Sequence, residues 1–233
     1  MSPPCTPYTQ RGARRDLNDR RSDALRSLID AVVTLRPNLI CIENVVGFES
    51  SQAFYQLHDR WTRVGYQIQT RTFCPSTIGW PNRRPRVYLI ATLEKLPEWN
   101  SPKPPQSNLS RIIESSITPE SHPTLWLDAN TIDRYLDAMD RVSAHNDSAI
   151  TASFGASYGR TIVRSGSYLK TEWGYRRFSP REVARLLGFA DEFRLLDKIS
   201  NQKLWHMLGN SLSLPAVRHV LGGLVDKDAF LAP

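Results

Sequence analysis

Four consecutive apolar residues, Leu39-Ile40-Cys41-Ile42, stand between a proline-terminated helical pattern and a polar Glu43-Asn44 pair, and no other stretch constrains the fold as much. A continuous apolar run of this length predicts a strand covered on both faces, of the kind found in parallel sheets with helical crossovers. Upstream, Asp23 to Arg36 carries Leu25, Leu28, Ile29, Val32 and Leu35 at helical spacing, and Pro37 closes the helix. Downstream, Ser51 to Val64 places Phe54, Leu57, Trp61 and Val64 on one helical face and stops at Gly65. Tyr66 to Phe73 alternates like a strand, and Val87 to Ala91 is a further apolar run. Helices interleaved with short apolar strands define an α/β unit.

The composition then changes. Pro97 to Asn108 carries four prolines among Ser, Asn and Gln, which marks a linker. Residues 110 to 175 are irregular apart from a helical pattern from Ile132 to Val142, followed by the Gly/Ser/Tyr/Arg stretch SFGASYGRTIVRSGSYLKTEWGYRR. Ser179-Pro180-Arg181-Glu182 reads as a capping box with Pro at the first helical position, and Gly188 ends that helix. Two more helices are expected, near Asn201 to Leu208 and Pro215 to Val225. The division expected is a catalytic part at 1–95, a recognition part at 96–175 and helices at 176–233 that return to the catalytic part.

Lys and Arg total 30 against 23 Asp and Glu, for a net charge of +7, and 24 of the cations are Arg. The guanidinium fork suits phosphates and base edges, so the bias points toward nucleic acid; a plain basic surface is the competing explanation. No apolar run approaches a membrane span, and no signal-peptide core is present. The three cysteines, Cys5, Cys41 and Cys74, fit no zinc spacing and no even disulfide framework, so no metal and a reducing, cytoplasmic setting are expected.

Four features carry candidate chemistry. Cys5 follows two prolines, and a stiff loop presenting one thiol suits a nucleophile; a surface cysteine in a loose tail is the alternative. Glu43 sits at the mouth of an apolar strand, where partial desolvation favours the protonated form that acts as an acid; a solvated strand-end carboxylate is the alternative. In Asn82-Arg83-Arg84-Pro85-Arg86, a strand would point Arg84 and Arg86 to one face, as a clamp or as solvated charge. Gly209-Asn210-Ser211, between two helices, is a helix end or a small-ligand loop.

Taken in order, SPPC, ENV 38 residues after the Cys, NRRPR, RRFSPREVARLLGF and MLGNSL resemble the motif set of the cytosine carbon-5 methyltransferases over nearly the whole chain. The stretches MSPPCTPYTQRG, ENVVGFE, STIGWPNRRPRVYLIA and SFGASYGRTIVRSGSYL are similar to the small branch that methylates transfer RNA for aspartate. The resemblance implies a Rossmann-like, S-adenosylmethionine-dependent α/β fold with a small target-recognition domain. It implies Cys5 as the nucleophile toward cytosine carbon-6 and Glu43 as the acid at ring nitrogen 3. It also implies that Arg84 and Arg86 hold the loop and the base, and that Asn210 and Ser211 lie near the methionine moiety of S-adenosylmethionine. Arg160, Arg164, Arg176 and Arg177, with Tyr158 and Tyr168, would contact nucleic-acid backbone and stack on bases, DNA or tRNA being the substrate.

Two features depart from the family. No GxGxxG or FxGxG occurs, Gly12 is the first glycine, and the sequence opens at the catalytic loop, so the sheet is expected to lack its N-terminal half. The Leu39 to Ile42 edge is then expected to be unpaired, and the isolated chain to bind S-adenosylmethionine poorly. Three explanations stay open: a truncated reading frame, half of a split enzyme completed by a separate N-terminal subunit, and a noncatalytic nucleic-acid-binding remnant. The branch's CFT triplet reads Ser153-Phe154-Gly155, which leaves DNA open beside tRNA.

Overall fold

The computed structural model describes residues 1–5, 8, 16–96 and 107–222, and the chain divides into two compact units. The first comprises Met1–Phe73, Pro85–Ser101 and Gly222–Pro233; the second comprises Cys74–Arg84 and Pro102–Leu221. These units cut the chain differently from the three-part division, because the C-terminal helices up to Leu221 share the second unit with residues 107–177. The proline-rich linker at 97–106 and the expected last helix beyond residue 222 lie outside the described residues.

In the first unit, helix α1 (Asp23–Leu35) buries Leu25, Ile29 and Val32 on one face. It ends at Arg36, which adopts the left-handed conformation with φ 46° ahead of the helix-breaking Pro37. Leu35 continues the helical spacing yet is 77% exposed, so the apolar face stops one turn earlier than the sequence suggests. Helix α2 (Gln52–Arg63) is capped by Ser51, whose Oγ accepts the Phe54 N–H at 3.0 Å, and by Asp16, whose carboxylate accepts the Gln52 and Ala53 N–H groups at 2.6 and 3.2 Å. These bonds satisfy amides that a helix start leaves orphaned.

Strands β1 (Leu39–Asn44), β2 (Gln67–Phe73) and β3 (Arg86–Thr92) form a sheet in the order β1-β3-β2. Both neighbours of β3 run antiparallel to it, with Glu43 opposite Tyr88 and Thr72 opposite Val87. The apolar run was expected to pair in parallel; its described partner is antiparallel, because β3 is buried along nearly its whole length and supplies an equally apolar surface. Ile40, Ile42, Val87, Leu89 and Ala91 pack with Leu25, Ile29, Leu57 and the fully buried Trp61 into one core. The outer edge of β1 was expected to be unpaired. Among the described residues β1 is an edge strand of its sheet, and Met1 covers part of that edge: its amino group donates to the Cys41 carbonyl at 2.6 Å, and the Glu43 N–H donates to the Met1 carbonyl at 2.9 Å.

The second unit holds helix α3 (Ala129–Tyr135), strands β4 (Asp140–Ser143), β5 (Ser167–Thr171) and β6 (Gly174–Arg177), and helices α4 (Pro180–Leu186), α5 (Asn201–Gly209) and α6 (Leu214–Leu221). Strand β5 is central, parallel to β4 and antiparallel to β6. The helix expected from Ile132 to Val142 stops at Tyr135, and Val142 reaches the core from β4. The capping box at α4 forms as the sequence indicates, with Ser179 Oγ accepting the Glu182 N–H at 3.1 Å and Glu182 Oε2 accepting the Ser179 N–H at 2.7 Å. Phe154, Tyr158, Tyr168, Phe178, Leu186 and Trp205 lie at the centre of this unit's core.

Three surface carboxylates of this unit are held below the usual aspartate value of 3.8: Asp147 by hydrogen bonding to Ser110 and then Asn108, Asp128 by Thr131 and Asp191 by Arg185. Each group binds its proton more weakly in the folded chain than in the unfolded one. Their stabilisation is therefore complete above about pH 4 and is lost as pH falls through the folded values. Acid titration of the chain, followed by near-ultraviolet circular dichroism, should show the second unit weakening below about pH 4, with a shallower slope in the Asp147→Asn variant.

Candidate active site and nucleic-acid surface

In the first unit the Pro-Pro-Cys segment lies against the C-terminal end of β1. Asn44 Nδ2 donates to the Pro3 carbonyl at 3.4 Å, while Asn44 Oδ1 accepts the Val45 N–H at 2.9 Å. The Tyr8 N–H donates to the Cys5 carbonyl at 3.0 Å. Tyr8 is 5% exposed, packs edge-on against Phe48 with ring centroids 5.1 Å apart, and its hydroxyl meets Ser22 Oγ at 3.3 Å. Gly47 is obligatory at this contact, since a Cβ there would stand 2.5 Å from the Tyr8 carbonyl oxygen. Anchored on both sides, Cys5 is half-buried rather than carried on a free tail.

Glu43 is 8% exposed, and both carboxylate oxygens are engaged. Ser2 Oγ donates to Oε2 at 2.8 Å, and Arg86 Nε lies 3.2 Å from Oε1. Both strands contribute: Glu43 from β1 and Arg86 from the first position of β3. Ser2 and Asn44 sit inside the SPPC and ENV motifs, and their residue types alone do not mark them as the fasteners of the loop. Burial pushes the Cys41 thiol up, which keeps it protonated and unreactive.

Arg84 and Arg86 do not share a face. Pro85 separates them, and they belong to different units. Arg84 is 3% exposed and ties together two segments of the second unit. Its Nη1 donates to Phe154 O at 3.0 Å and Ser153 Oγ at 3.3 Å; its Nη2 donates to Gly209 O at 3.0 Å and Ser211 O at 2.7 Å. The Ser153-Phe154-Gly155 triplet is therefore where this guanidinium docks. Gly209 itself presses on the 155–156 backbone, where a Cβ would stand 2.3 Å from Ala156 N and 2.4 Å from Gly155 C.

Asn210 and Ser211 turn their polar ends onto α5. Asn210 Nδ2 donates to His206 O at 3.0 Å and Ser211 Oγ to Met207 O at 3.3 Å. Among the described residues no strand is followed by a glycine-rich turn. These groups do not fit S-adenosylmethionine as a complete cradle.

Of the expected nucleic-acid contacts, Arg160 and Arg164 are exposed. Tyr158, Tyr168 and Arg176 are not available for stacking or phosphate contact, because all three are buried in the core. The Tyr158 hydroxyl donates to Ser167 O at 2.7 Å and accepts the Phe178 N–H at 2.9 Å, and burial pushes it well above the ordinary tyrosine value of 10. Arg176 makes a two-pronged ion pair with Glu182, both contacts at 2.7 Å.

A tRNA (cytosine(38)-C(5))-methyltransferase of Schizosaccharomyces pombe is 26% identical over 252 residues, covering 97% of this chain and 76% of the relative. A DNA (cytosine-5)-methyltransferase of Dictyostelium discoideum is 26% identical over 292 residues, covering 98% of this chain and 76% of the relative. The crystal structure of S. pombe Dnmt2 methyltransferase superposes with a TM-score of 0.81 at 25% identity, covering 95% of this chain and 75% of that one. Entamoeba histolytica methyltransferase EhMeth shares the fold with a TM-score of 0.82 at 23% identity, covering 97% and 77% of the two chains. With a family model for C-5 cytosine-specific DNA methylase matching residues 1–225, the chain belongs to the C-5 cytosine methyltransferase family.

Proposed function

We propose that the chain activates cytosine in DNA or tRNA for methylation at carbon-5 through a covalent adduct at Cys5. The observation that carries this reading is the fastening of the Pro-Pro-Cys turn to the strand end that presents Glu43, with Ser2 bonded to that carboxylate. Cytosine carbon-5 is a weak nucleophile. Addition of the Cys5 thiolate to carbon-6 forms a C–S bond and moves the ring electron pair to carbon-5, while the proton on Glu43 passes to ring nitrogen 3. Arg86 then faces the carboxylate left behind, which keeps its charge compensated. The target atom lies within the base stack of a duplex, so the base must leave it to reach Cys5. Arg160 and Arg164 are assigned to backbone contact, and residues 96–175 to target recognition.

The methyl donor proposed is S-adenosylmethionine, as for the family in general. Because the described residues do not form its cradle, isothermal titration of the 233-residue chain with S-adenosylhomocysteine should show no micromolar binding; a micromolar constant overturns that reading. The covalent step is tested without a methyl donor, on nucleic acid carrying 2-pyrimidinone in place of the target cytosine, a base whose carbon-6 is electrophilic enough to hold the thiol adduct without methyl transfer. The native chain should give a denaturation-resistant complex and Cys5→Ser none. A noncatalytic binding module would keep its affinity in both forms and trap in neither.

A further inference from the structure

The geometry points to Ser2 as a positioning residue for the proposed acid, and to Oε2 of Glu43 as the carboxylate oxygen that carries the proton. The inference deepens the reading that Glu43 protonates ring nitrogen 3 of cytosine, and it rests on that reading.

The two oxygens of Glu43 have partners of different chemistry. Oε1 lies 3.2 Å from Arg86 Nε. A guanidinium donates and never accepts, so a proton on Oε1 would be set against an N–H with no lone pair to receive it. Oε2 accepts from Ser2 Oγ at 2.8 Å. A hydroxyl is both donor and acceptor, and it turns about its own C–O bond. While Glu43 is ionised, Ser2 donates to Oε2. When Oε2 takes a proton the hydroxyl turns and accepts from it, and no heavy atom has to move. In the reaction the Oε2–H bond breaks as the lone pair of ring nitrogen 3 takes the proton. Ser2 then donates again to the carboxylate left behind.

The backbone on either side holds Ser2 for this task. The Met1 carbonyl accepts the Glu43 N–H at 2.9 Å, and the Pro3 carbonyl accepts Asn44 Nδ2 at 3.4 Å. Pro3 also restricts Ser2 to extended backbone. None of these constraints uses the Ser2 side chain, and Ser2 is exposed, so Ser2→Ala removes the hydroxyl without opening a cavity or releasing the loop. The other charged and titratable groups about Glu43 are Arg86 and Tyr88 on β3, Arg71 opposite Tyr88 on β2, Cys41 on β1, and the Met1 amino group and Cys5 of the segment that carries Ser2. Ser2→Ala alters none of them.

The experiment measures deuterium exchange at cytosine carbon-5 by the full chain in heavy water, on DNA and on tRNA, across a range of pH. At its own optimum pH and saturating nucleic acid, Ser2→Ala should exchange about three- to tenfold more slowly than the native chain, with half-saturation unchanged. Loss of a hydrogen bond to the ionised carboxylate favours the protonated form. The limb of the profile that Glu43→Gln removes should therefore move to higher pH by about half to one unit in Ser2→Ala. Ser2→Thr, which keeps the hydroxyl, should restore both rate and profile. A native rate and profile in Ser2→Ala, or a slowed rate with the limb unmoved and no rescue by Ser2→Thr, overturns the role of Ser2 alone. No exchange by the native chain on either polymer overturns the reading of Cys5 and Glu43, and the role of Ser2 with it.

Discussion

Replacing Glu182 by Ala is expected to unfold the second unit under conditions in which the native chain is stable. The Glu182 carboxylate is 0% exposed and accepts four hydrogen bonds. Two come from Arg176 at 2.7 Å, one from the Ser179 N–H at 2.7 Å and one from the Glu114 N–H at 2.8 Å. Removing one partner of a buried ion pair costs about 3–5 kcal/mol, because the remaining charge has no water to solvate it. Each orphaned buried amide adds about 1–3 kcal/mol. Against a total stability of about 5–15 kcal/mol, the sum is decisive. Urea unfolding followed through Trp205, whose Nε1 donates to Phe178 O at 3.0 Å in the same core, should show the transition shifted to low urea or lost. The double variant Arg176→Met with Glu182→Gln removes both charges and keeps an acceptor for the capping amides, so it should recover most of the loss. Glu182→Ala within about 1 kcal/mol of the native chain would show that the pair is solvated and Arg176 replaceable.

Gly209→Ala should be nearly as damaging, for a steric reason. The added Cβ would stand 2.3–2.7 Å from three backbone atoms of Gly155 and Ala156, none of which can rotate away. The 207–211 turn must retreat from the 154–156 segment, and that separation pulls apart the carbonyls Arg84 bridges. Overpacking of this kind costs about 1–3 kcal/mol, and each lost bond to a charged donor adds about 1.5–3 kcal/mol. The midpoint of thermal unfolding of the second unit should fall by several degrees or more, together with any methylation activity. Ala at Gly174 is the control, since a Cβ there meets no atom within 4 Å, and its cost should be confined to backbone strain at φ 124°.

Local signals are the most legible part of the sequence. Ser51 and Ser179 mark helix starts because their capping partners lie three residues away. Likewise, the Leu39 to Ile42 and Val87 to Ala91 runs form strands where apolar continuity demands them. The sequence is not legible where the deciding partner is distant or the spacing coincidental. Val142 keeps helical phase with Ile132, but the chain turns after Tyr135 and delivers it from a strand. Tyr158 and Tyr168 look like surface aromatics in a Gly/Ser-rich stretch, yet their burial depends on a core assembled from β5, α4 and α5. Arg176 reads as a phosphate ligand until Glu182, six residues on and across the corner into α4, claims it. Of the candidate site, the sequence located Cys5, Glu43 and Arg86 within one unit. It did not reveal that Ser2 and Asn44 hold the loop to the strand, because their bonds reach across about 40 residues.

The covalent addition proposed for Cys5 would have a consequence that needs no methyl donor. Once the thiolate is on carbon-6, the electron pair at carbon-5 accepts a deuteron from heavy water. Loss of the original hydrogen and departure of the thiolate then return an exchanged cytosine. Cytosine-containing DNA or tRNA incubated with the full chain in heavy water, then digested and weighed by mass spectrometry, should gain deuterium at carbon-5. Cys5→Ser should show none, and Glu43→Gln a rate at least about 100-fold lower, as expected for loss of a general acid. Equal exchange by the native chain and Cys5→Ser, or none from the native chain on either polymer, would contradict a nucleophilic role for this cysteine.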